Sequence, residues 1–314
     1  PEKLARELDQ LNSDVVISSE NFSFIFEGQE LNKLREELAT YFSNMKIICY
    51  IRRQDEHLVS HHQEGSKLNR RPEYALFRHS PCALPEYNAR HRLYLDYHQR
   101  LSMWGDAFGD ENMVIRVFEK EKLEKHDLIE DFFALIGIDS YERVDRSNES
   151  MGFKKTKLGH ILNNSEVVNK SQIADLLISR LGSSDKMLPS RNRASEYYAH
   201  YRSSNEMLNR RFKINKQESL FSEDFDFYPE ISTDAWTEDS TNEFVAEILG
   251  IIDDTYGGID AVTLRNAAIR CEKENLGSSY KLMSLAHKLK PQGKLIQRKL
   301  DLYRELLAKQ SDQS

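Results

Sequence analysis

The chain has 314 residues, of which 39% are hydrophobic, and its 44 Lys and Arg and 51 Asp and Glu give a formal net charge of −7. This composition excludes collagen-like, disulfide-scaffold and wholly disordered proteins, and the negative total argues against general nucleic-acid binding. No stretch reaches the roughly 18 consecutive apolar residues that a membrane-spanning helix needs. Three cysteines without C-x-x-C spacing are typical of a reducing compartment, so we expect a soluble, cytoplasmic protein.

Charge is strongly segregated along the chain. Residues 217–264 contain 13 acids and no Lys or Arg, whereas residues 143–216 contain 15 basic and 7 acidic residues. A local basic stretch can attract an anion despite a negative total, although solvated helical faces explain such runs equally well.

The first half of the chain alternates predicted strands and helices. Each of three continuous apolar runs is followed by a helical pattern: 14–19 then 28–43, 46–51 then a helix from Gln54, and 113–118 then 122–136. This order is typical of parallel βαβ units, in which crossover helices cover the sheet. We therefore predict an α/β domain over residues 1–230.

Helices and loops occupy the remaining segments. A single helix is expected over 85–107, and the proline-containing loop 69–85 before it is long enough to be functional. Further helices are expected at 154–182 and 190–213, and an extended, aromatic segment with packing anchors at 219–236. Residues 231–314 are expected to form a helical C-terminal region, in which 267–291 resembles one tetratricopeptide-like hairpin.

Several common motifs are absent. The glycine positions allow no G-x-G-x-x-G, no G-x-x-x-x-G-K-[ST] and no G-x-S-x-G, which excludes dinucleotide dehydrogenases, complete Walker-type NTPases and typical α/β-hydrolases. His57 and His61 stand at i, i+4, but Leu58 replaces the Glu of H-E-x-x-H. We therefore expect solvent-facing histidines and no metal site.

Two predicted strand ends carry chemistry. Arg52 and Arg53 follow strand 46–51, and the next helix turns Ser60 back toward Arg52. Because ligands of open α/β sheets bind at the carboxyl edge, an arginine, a hydroxyl and helix amides there suit a phosphate. Arg53 could instead extend along the surface.

Glu20 follows the predicted strand 14–19 at the same edge, after Ser18 and Ser19. A carboxylate in this position could accept a proton from an acceptor hydroxyl. It could equally be an N-cap neighbour or an ion-pair partner of Arg52. Together, the two strand ends predict one site with an anion contact and a base.

These motifs resemble the sulfotransferase family, whose members use 3′-phosphoadenosine 5′-phosphosulfate, and especially a bacterial carbohydrate-sulfotransferase-like branch. In the family, an Arg after a strand and a Ser eight residues later hold the 3′-phosphate, and KIICYIRRQDEHLVS places Arg52 and Ser60 at that spacing. The resemblance implies that Glu20, within VVISSENF, takes the place of the catalytic base. The family's lysine beside that base is missing here.

The resemblance extends over about residues 1–230. NMVIRVFEKEKL is similar to the family's strand and aromatic residue, which implies that Phe118 lies against adenine. VDRSNESMGF resembles the N-x-S element of the same branch, which implies cofactor contacts by Asn148 and Ser150. The implied fold is a P-loop-like three-layer α/β domain with a parallel sheet, followed by the helical C-terminal appendage.

The implied activity is transfer of a sulfuryl group from the nucleotide donor to a hydroxyl or amine of a saccharide or other small acceptor, without a metal. Nothing matches the family's K-T-G-T-type phosphosulfate loop. Because Pro1 begins inside a helical pattern, we expect that loop to lie upstream. The alternative is a non-catalytic nucleotide- or partner-binding protein with a degenerate fold and a helical protein-interaction tail.

Overall fold

A computed structural model of the chain describes residues 13–67, 82–142, 151–182, 184–257 and 259–311. It divides into two compact units, Pro1–Trp236 and Thr237–Ser314. Within the described residues, no helix is both long and apolar enough to cross a membrane.

A small parallel sheet lies in the first unit. Strand β1 is Ile47–Ile51 and strand β2 is Met113–Val117, and they pair in parallel with Ile47 opposite Met113 and Ile51 opposite Val117. Two of the three predicted strands are thus confirmed. The unit is mostly helical. Within the described ranges, these two strands are its only sheet, and they make it an α/β unit.

The predicted strand 14–19 is wrong. These residues have no regular secondary structure, and Val16 and Ile17 are 58% and 37% exposed. A 3₁₀ turn, Glu20–Phe24, follows, and the Ser19 side chain caps it by accepting a hydrogen bond from the backbone N–H of Asn21 at 3.2 Å. Local bonds of this kind compete with strand pairing, and the periodicity of a short apolar run does not reveal them.

Several helices of the first unit are shorter than predicted, and two of them begin at aspartate caps. In chain order, the helices of this unit are α1 Gly28–Leu38, α2 Gln54–Gly65, α3 Ala89–Leu95, α4 Tyr97–Phe108, α5 Leu128–Leu135, α6 Phe153–Asn164, α7 Lys170–Ile178, α8 Arg191–Ala199 and α9 Arg202–Phe212. The predicted helix 85–107 breaks at Asp96, whose side chain accepts from the N–H of Gln99 at 3.0 Å and starts α4. Asp127 caps α5 in the same way, and Gly137, with φ +71°, follows its end as predicted.

The core of the first unit joins the sheet to helices α2, α3 and α4. Buried side chains include Leu58 of α2, Leu95 of α3 and Trp104 of α4. The segment 219–236 contains no helix or strand, and it packs onto this core through Leu220, Phe221, Phe225 and Tyr228. The predicted packing anchors are confirmed, but the segment passes through bends and a turn and is not continuously extended.

The second unit is helical. Its helices are α10 Glu238–Tyr256, α11 Ala261–Cys271, α12 Leu276–Leu289 and α13 Lys294–Ser311. Ala268, Met283 and Tyr303 lie in the core that joins α11, α12 and α13. The Tyr303 hydroxyl donates a hydrogen bond to Glu272 at 2.7 Å, which fixes α13 to the end of α11.

Candidate functional site

The carboxyl end of β1 is closed by a buried ion pair. Arg53 is 3% exposed, and its Nε and Nη2 donate to the carboxylate of Asp55 at 2.8 and 3.1 Å. Its Nη1 donates to the backbone carbonyls of Ser222 and Asp224 at 2.7 and 2.6 Å. Arg53 therefore has a structural role, and the alternative that it extends along the surface is wrong.

The segment 219–236 completes this arrangement. Tyr228 donates its hydroxyl hydrogen to Asp55 at 2.7 Å, and the ring of Phe225 lies 4.0 Å from the Arg53 guanidinium carbon. Because the Asp55 carboxylate is desolvated together with two donors, removing either donor would leave a buried charge short of partners.

Arg52 has a different environment from its neighbour. Its side chain is half-buried, and its guanidinium carbon lies 4.2 Å from the centre of the Phe118 ring. Within the part of the chain that the structure describes, this guanidinium makes no hydrogen bond or ion pair. Burial lowers the pKa of Arg52, and attraction to Glu56 partly offsets that shift.

Phe118 is held where β2 ends. Its backbone N–H donates to the carbonyl of Ile51 at 2.7 Å, so the ring faces the residue that follows β1. Two residues that the sequence assigned to one cofactor site, Arg52 and Phe118, are therefore in direct contact at the carboxyl edge of the parallel pair.

A polar cluster from α2 and α4 supports Arg52. The Tyr97 hydroxyl donates to the carbonyl of Arg52 at 2.9 Å and lies 3.1 Å from Nδ1 of His57. The ring of His57 packs edge-on against Tyr94, with ring centres 5.7 Å apart. The prediction of a solvent-facing His57 holds only in part, because this side chain is half-buried. Burial, with added repulsion from neighbouring groups, lowers the pKa of this histidine to about 3.

Arg100 on α4 connects this cluster to the segment that carries Glu20. It donates from Nη1 to the carbonyl of Tyr94 at 2.8 Å and from Nη2 to the carbonyl of Ser23. Its guanidinium also lies over the rings of Phe26 and Tyr94. Among the described residues no carboxylate pairs with Arg100, so its charge, like that of Arg52, is not neutralised by an ion pair.

Glu20 lies exposed at the start of the 3₁₀ turn rather than at the end of a strand. The turn is tied to the site through Tyr94, because the Ser23 and Tyr94 hydroxyls are 3.5 Å apart and the Phe24 ring packs on Tyr94. Ser60 is exposed on α2 and makes no hydrogen bond with Arg52. Asn148, Ser150 and residues 69–81 of the predicted loop 69–85 lie outside the described residues.

Three residues of the site were not predicted from the sequence: His57, Tyr97 and Arg100. Tyr97 belongs to a stripe of aromatic and aliphatic residues at helical spacing, a pattern that is typical of core packing. The available signal was Arg100, a charge on the same helix face as Trp104.

The arrangement is suited to binding an anion. Arg52 and Arg100 are partly desolvated cations without a carboxylate partner among the described residues, and desolvation strengthens any charge-assisted hydrogen bond that an incoming anion makes. Within the same residues, no group of three or more His, Cys, Asp and Glu is placed to hold a metal.

Comparison with known proteins adds a distant relative. No protein-family pattern and no solved structure matches the chain. The chain is similar to an uncharacterized protein of Archaeoglobus fulgidus, with 26% identity over 226 residues, which is 68% of this chain and 58% of the relative. The chain thus spans less than two thirds of that relative's length, and the similarity carries no functional description.

Proposed function

We propose that the chain is part of a sulfotransferase that moves a sulfuryl group from 3′-phosphoadenosine 5′-phosphosulfate to a hydroxyl or amine of a saccharide or other small acceptor. One observation carries the proposal: Arg52 follows a parallel strand and presents a half-buried guanidinium beside the aromatic ring of Phe118, with no ion-pair partner among the described residues. A 3′-phosphate on the guanidinium and an adenine near the ring would use both features.

The proposed fold is a P-loop-like three-layer α/β domain, of which β1, β2 and their helices would be a part. The proposed cofactor contacts are Arg52 and Phe118, supplemented by Ser60, Asn148 and Ser150. The buried pair of Arg53 and Asp55 supports the proposal indirectly, because it keeps the acid that is nearest in sequence from neutralising Arg52.

In the proposed reaction, Glu20 accepts the proton of the acceptor hydroxyl while the acceptor oxygen forms a bond to sulfur. The bond between sulfur and the bridging phosphate oxygen breaks, and 3′,5′-adenosine bisphosphate leaves. Arg52 would act by positioning the nucleotide, which lowers the entropic part of the barrier. The exposed location of Glu20 leaves it accessible to an acceptor from solvent.

A transfer assay tests this proposal. The full-length protein is incubated with ³⁵S-labelled donor and a mixture of oligosaccharides, and labelled product and 3′,5′-adenosine bisphosphate are measured together. We expect both to form in equal amounts, and we expect Glu20→Gln to slow transfer by about 100-fold or more without weakening donor binding. Donor binding without transfer to any acceptor would contradict the catalytic proposal.

The second candidate is a non-catalytic protein with a helical interaction tail, and α10 provides an observation in its favour. One face of this helix exposes Val245, Leu249, Ile252 and Tyr256 at helical spacing. All charged residues of α10 are Asp or Glu. These features fit a basic amphipathic helix of a partner protein.

A peptide titration tests this candidate. We expect a helical Leu/Lys peptide to bind the chain better than its Leu/Glu counterpart, and Leu249→Glu to abolish that difference. Equal binding of the two peptides, or binding of neither, would contradict the candidate.

A further inference from the structure

The hydrogen bonds of Tyr97 determine the protonation state of its neighbour. A tyrosine hydroxyl has one hydrogen, and here it is donated to the carbonyl of Arg52 at 2.9 Å. The contact of 3.1 Å between the Tyr97 oxygen and Nδ1 of His57 therefore requires Nδ1 to carry the hydrogen. His57 is thus the neutral tautomer with a lone pair on Nε2, and no described residue bonds that nitrogen.

The charged groups around His57 come from several elements. Arg52 lies at the end of β1, His61 is one turn further along α2 with its ring stacked 6.4 Å away, and Arg100 belongs to α4. All three repel a proton on His57.

The other titratable neighbours do not offset this repulsion. Tyr94 packs its ring against His57, burial raises the pKa of Tyr97 above its ordinary value, and burial raises the pKa of Cys49, close to Arg100, to about 11. Glu56 is held 3.4 Å from the guanidinium of Arg53. The surroundings of His57 therefore have an excess of positive charge that a bound anion would neutralise.

We propose that His57 belongs to the same anion site as Arg52 and takes up a proton when the anion binds. This inference rests on the proposed function and names a further ligand contact for it. A proton from solvent adds to Nε2, and the resulting N–H donates a hydrogen bond to a sulfate or phosphate oxygen, while the Nδ1–H remains bonded to Tyr97.

Proton uptake by His57 makes anion binding depend on pH in one direction. Without an anion, burial and repulsion from neighbouring groups, including the guanidinium groups of Arg52 and Arg100, keep His57 neutral at ordinary pH. An anion beside Arg52 opposes that repulsion and raises the pKa of His57, so by linkage the anion binds more tightly as the pH falls.

Inorganic sulfate is the probe, because it keeps its charge between pH 5 and pH 7, whereas phosphate esters titrate there. Calorimetry in two buffers of different ionisation enthalpy gives the number of protons taken up. We expect uptake that increases from pH 7 to pH 5, and we expect His57→Gln to remove it and to weaken sulfate binding about tenfold at pH 5. The control is His200→Gln, an exposed histidine directly after the end of α8, which should behave as the unmodified protein.

NMR of the unmodified protein provides a second measurement that does not depend on a variant. We expect sulfate to raise the pKa of His57 from about 3. Sulfate binding that requires Arg52 but brings no proton uptake and no shift at His57 would overturn this inference and leave the sulfotransferase proposal standing. Sulfate binding that is insensitive to Arg52→Ala, or no binding, would overturn both.

Discussion

Two adjacent arginines at the end of β1 have opposite roles. Arg53 is surrounded by acceptors and aromatic rings, whereas Arg52 rests on one ring with no acceptor among the described residues. Side chains of consecutive residues in extended backbone point to opposite sides, so Arg53 can be enclosed while Arg52 lies beside Phe118. This difference is the reason why Arg52, rather than Arg53, is proposed to bind an anion.

The fixed role of Arg53 predicts a stability effect. Arg53→Ala leaves Asp55 buried with its charge unpaired, so we expect the free energy of unfolding to fall by about 3–5 kcal/mol. Urea denaturation measures the change. Arg210→Ala, which removes an arginine that is 67% exposed, is the control and should stay within about 0.5 kcal/mol. A decrease in the free energy of unfolding of less than about 1 kcal/mol in Arg53→Ala would contradict the proposed stabilisation of Asp55 by Arg53.

At the scale of elements, one carboxylate connects the sheet to α5. Asp131, 1% exposed, accepts from the Tyr50 hydroxyl of β1 at 2.7 Å, from Nε of Arg116 of β2 at 3.0 Å and from the N–H of Glu124 at 2.9 Å. Burial alone would raise the pKa of Asp131, but these hydrogen bonds outweigh it and the pKa is lowered.

Because its pKa is lowered, the contribution of Asp131 to the stability of the fold depends on pH. The stabilisation is present above the unfolded-state pKa of about 3.9 and is lost as the pH falls through the lower folded-state pKa. We expect Asp131→Asn to cost about 2 kcal/mol at pH 7, and this cost to shrink below about pH 4. Urea unfolding of both proteins across this range measures it. A difference that is constant with pH would rule out the ionised carboxylate as the connecting group.

Two glycines in helices predict opposite results for the same substitution. In α6, a Cβ at Gly159 would overlap the carbonyl oxygen of Ser66 at the end of α2, whereas a Cβ at Gly250 in α10 would meet no atom within 4 Å. We expect Gly159→Ala to destabilise by about 1–3 kcal/mol and Gly250→Ala to stabilise by up to about 1 kcal/mol. Thermal unfolding distinguishes the two, and the same sign in both would contradict the close approach of α6 to α2.

Sequence patterns predict features that depend on neighbouring residues, and they miss contacts between residues that are distant in sequence. Strands β1 and β2 were predicted because buried parallel strands are continuous apolar runs, and the run 14–19 failed because its capping bonds are invisible to that pattern. Arg52 and Phe118 could be placed together because both follow strands of one sheet. His57 and Arg100 could not, because their partners Tyr97 and Ser23 are distant in sequence and the contacts depend on tertiary packing.

At the scale of the whole molecule, the net charge of −7 describes neither unit. The acidic run 217–264 includes the segment that encloses Arg53 as well as α10. The backbone carbonyls of Ser222 and Asp224 contact that arginine. The site at Arg52 therefore keeps its positive character inside a negatively charged protein. An anionic ligand must be selected by local geometry, since a negative total charge does not attract anions at long range.

The central claim is that Arg52 binds the 3′-phosphate of an adenine nucleotide, and calorimetry tests it most directly. The full-length protein is titrated with 3′,5′-adenosine bisphosphate and with AMP, and the titrations are repeated with Arg52→Ala and with the control Arg210→Ala. We predict that the bisphosphate binds about 10- to 100-fold more tightly than AMP, that Arg52→Ala abolishes this preference and that Arg210→Ala retains it. Equal affinity for the two nucleotides, or a preference that survives Arg52→Ala, would contradict the account.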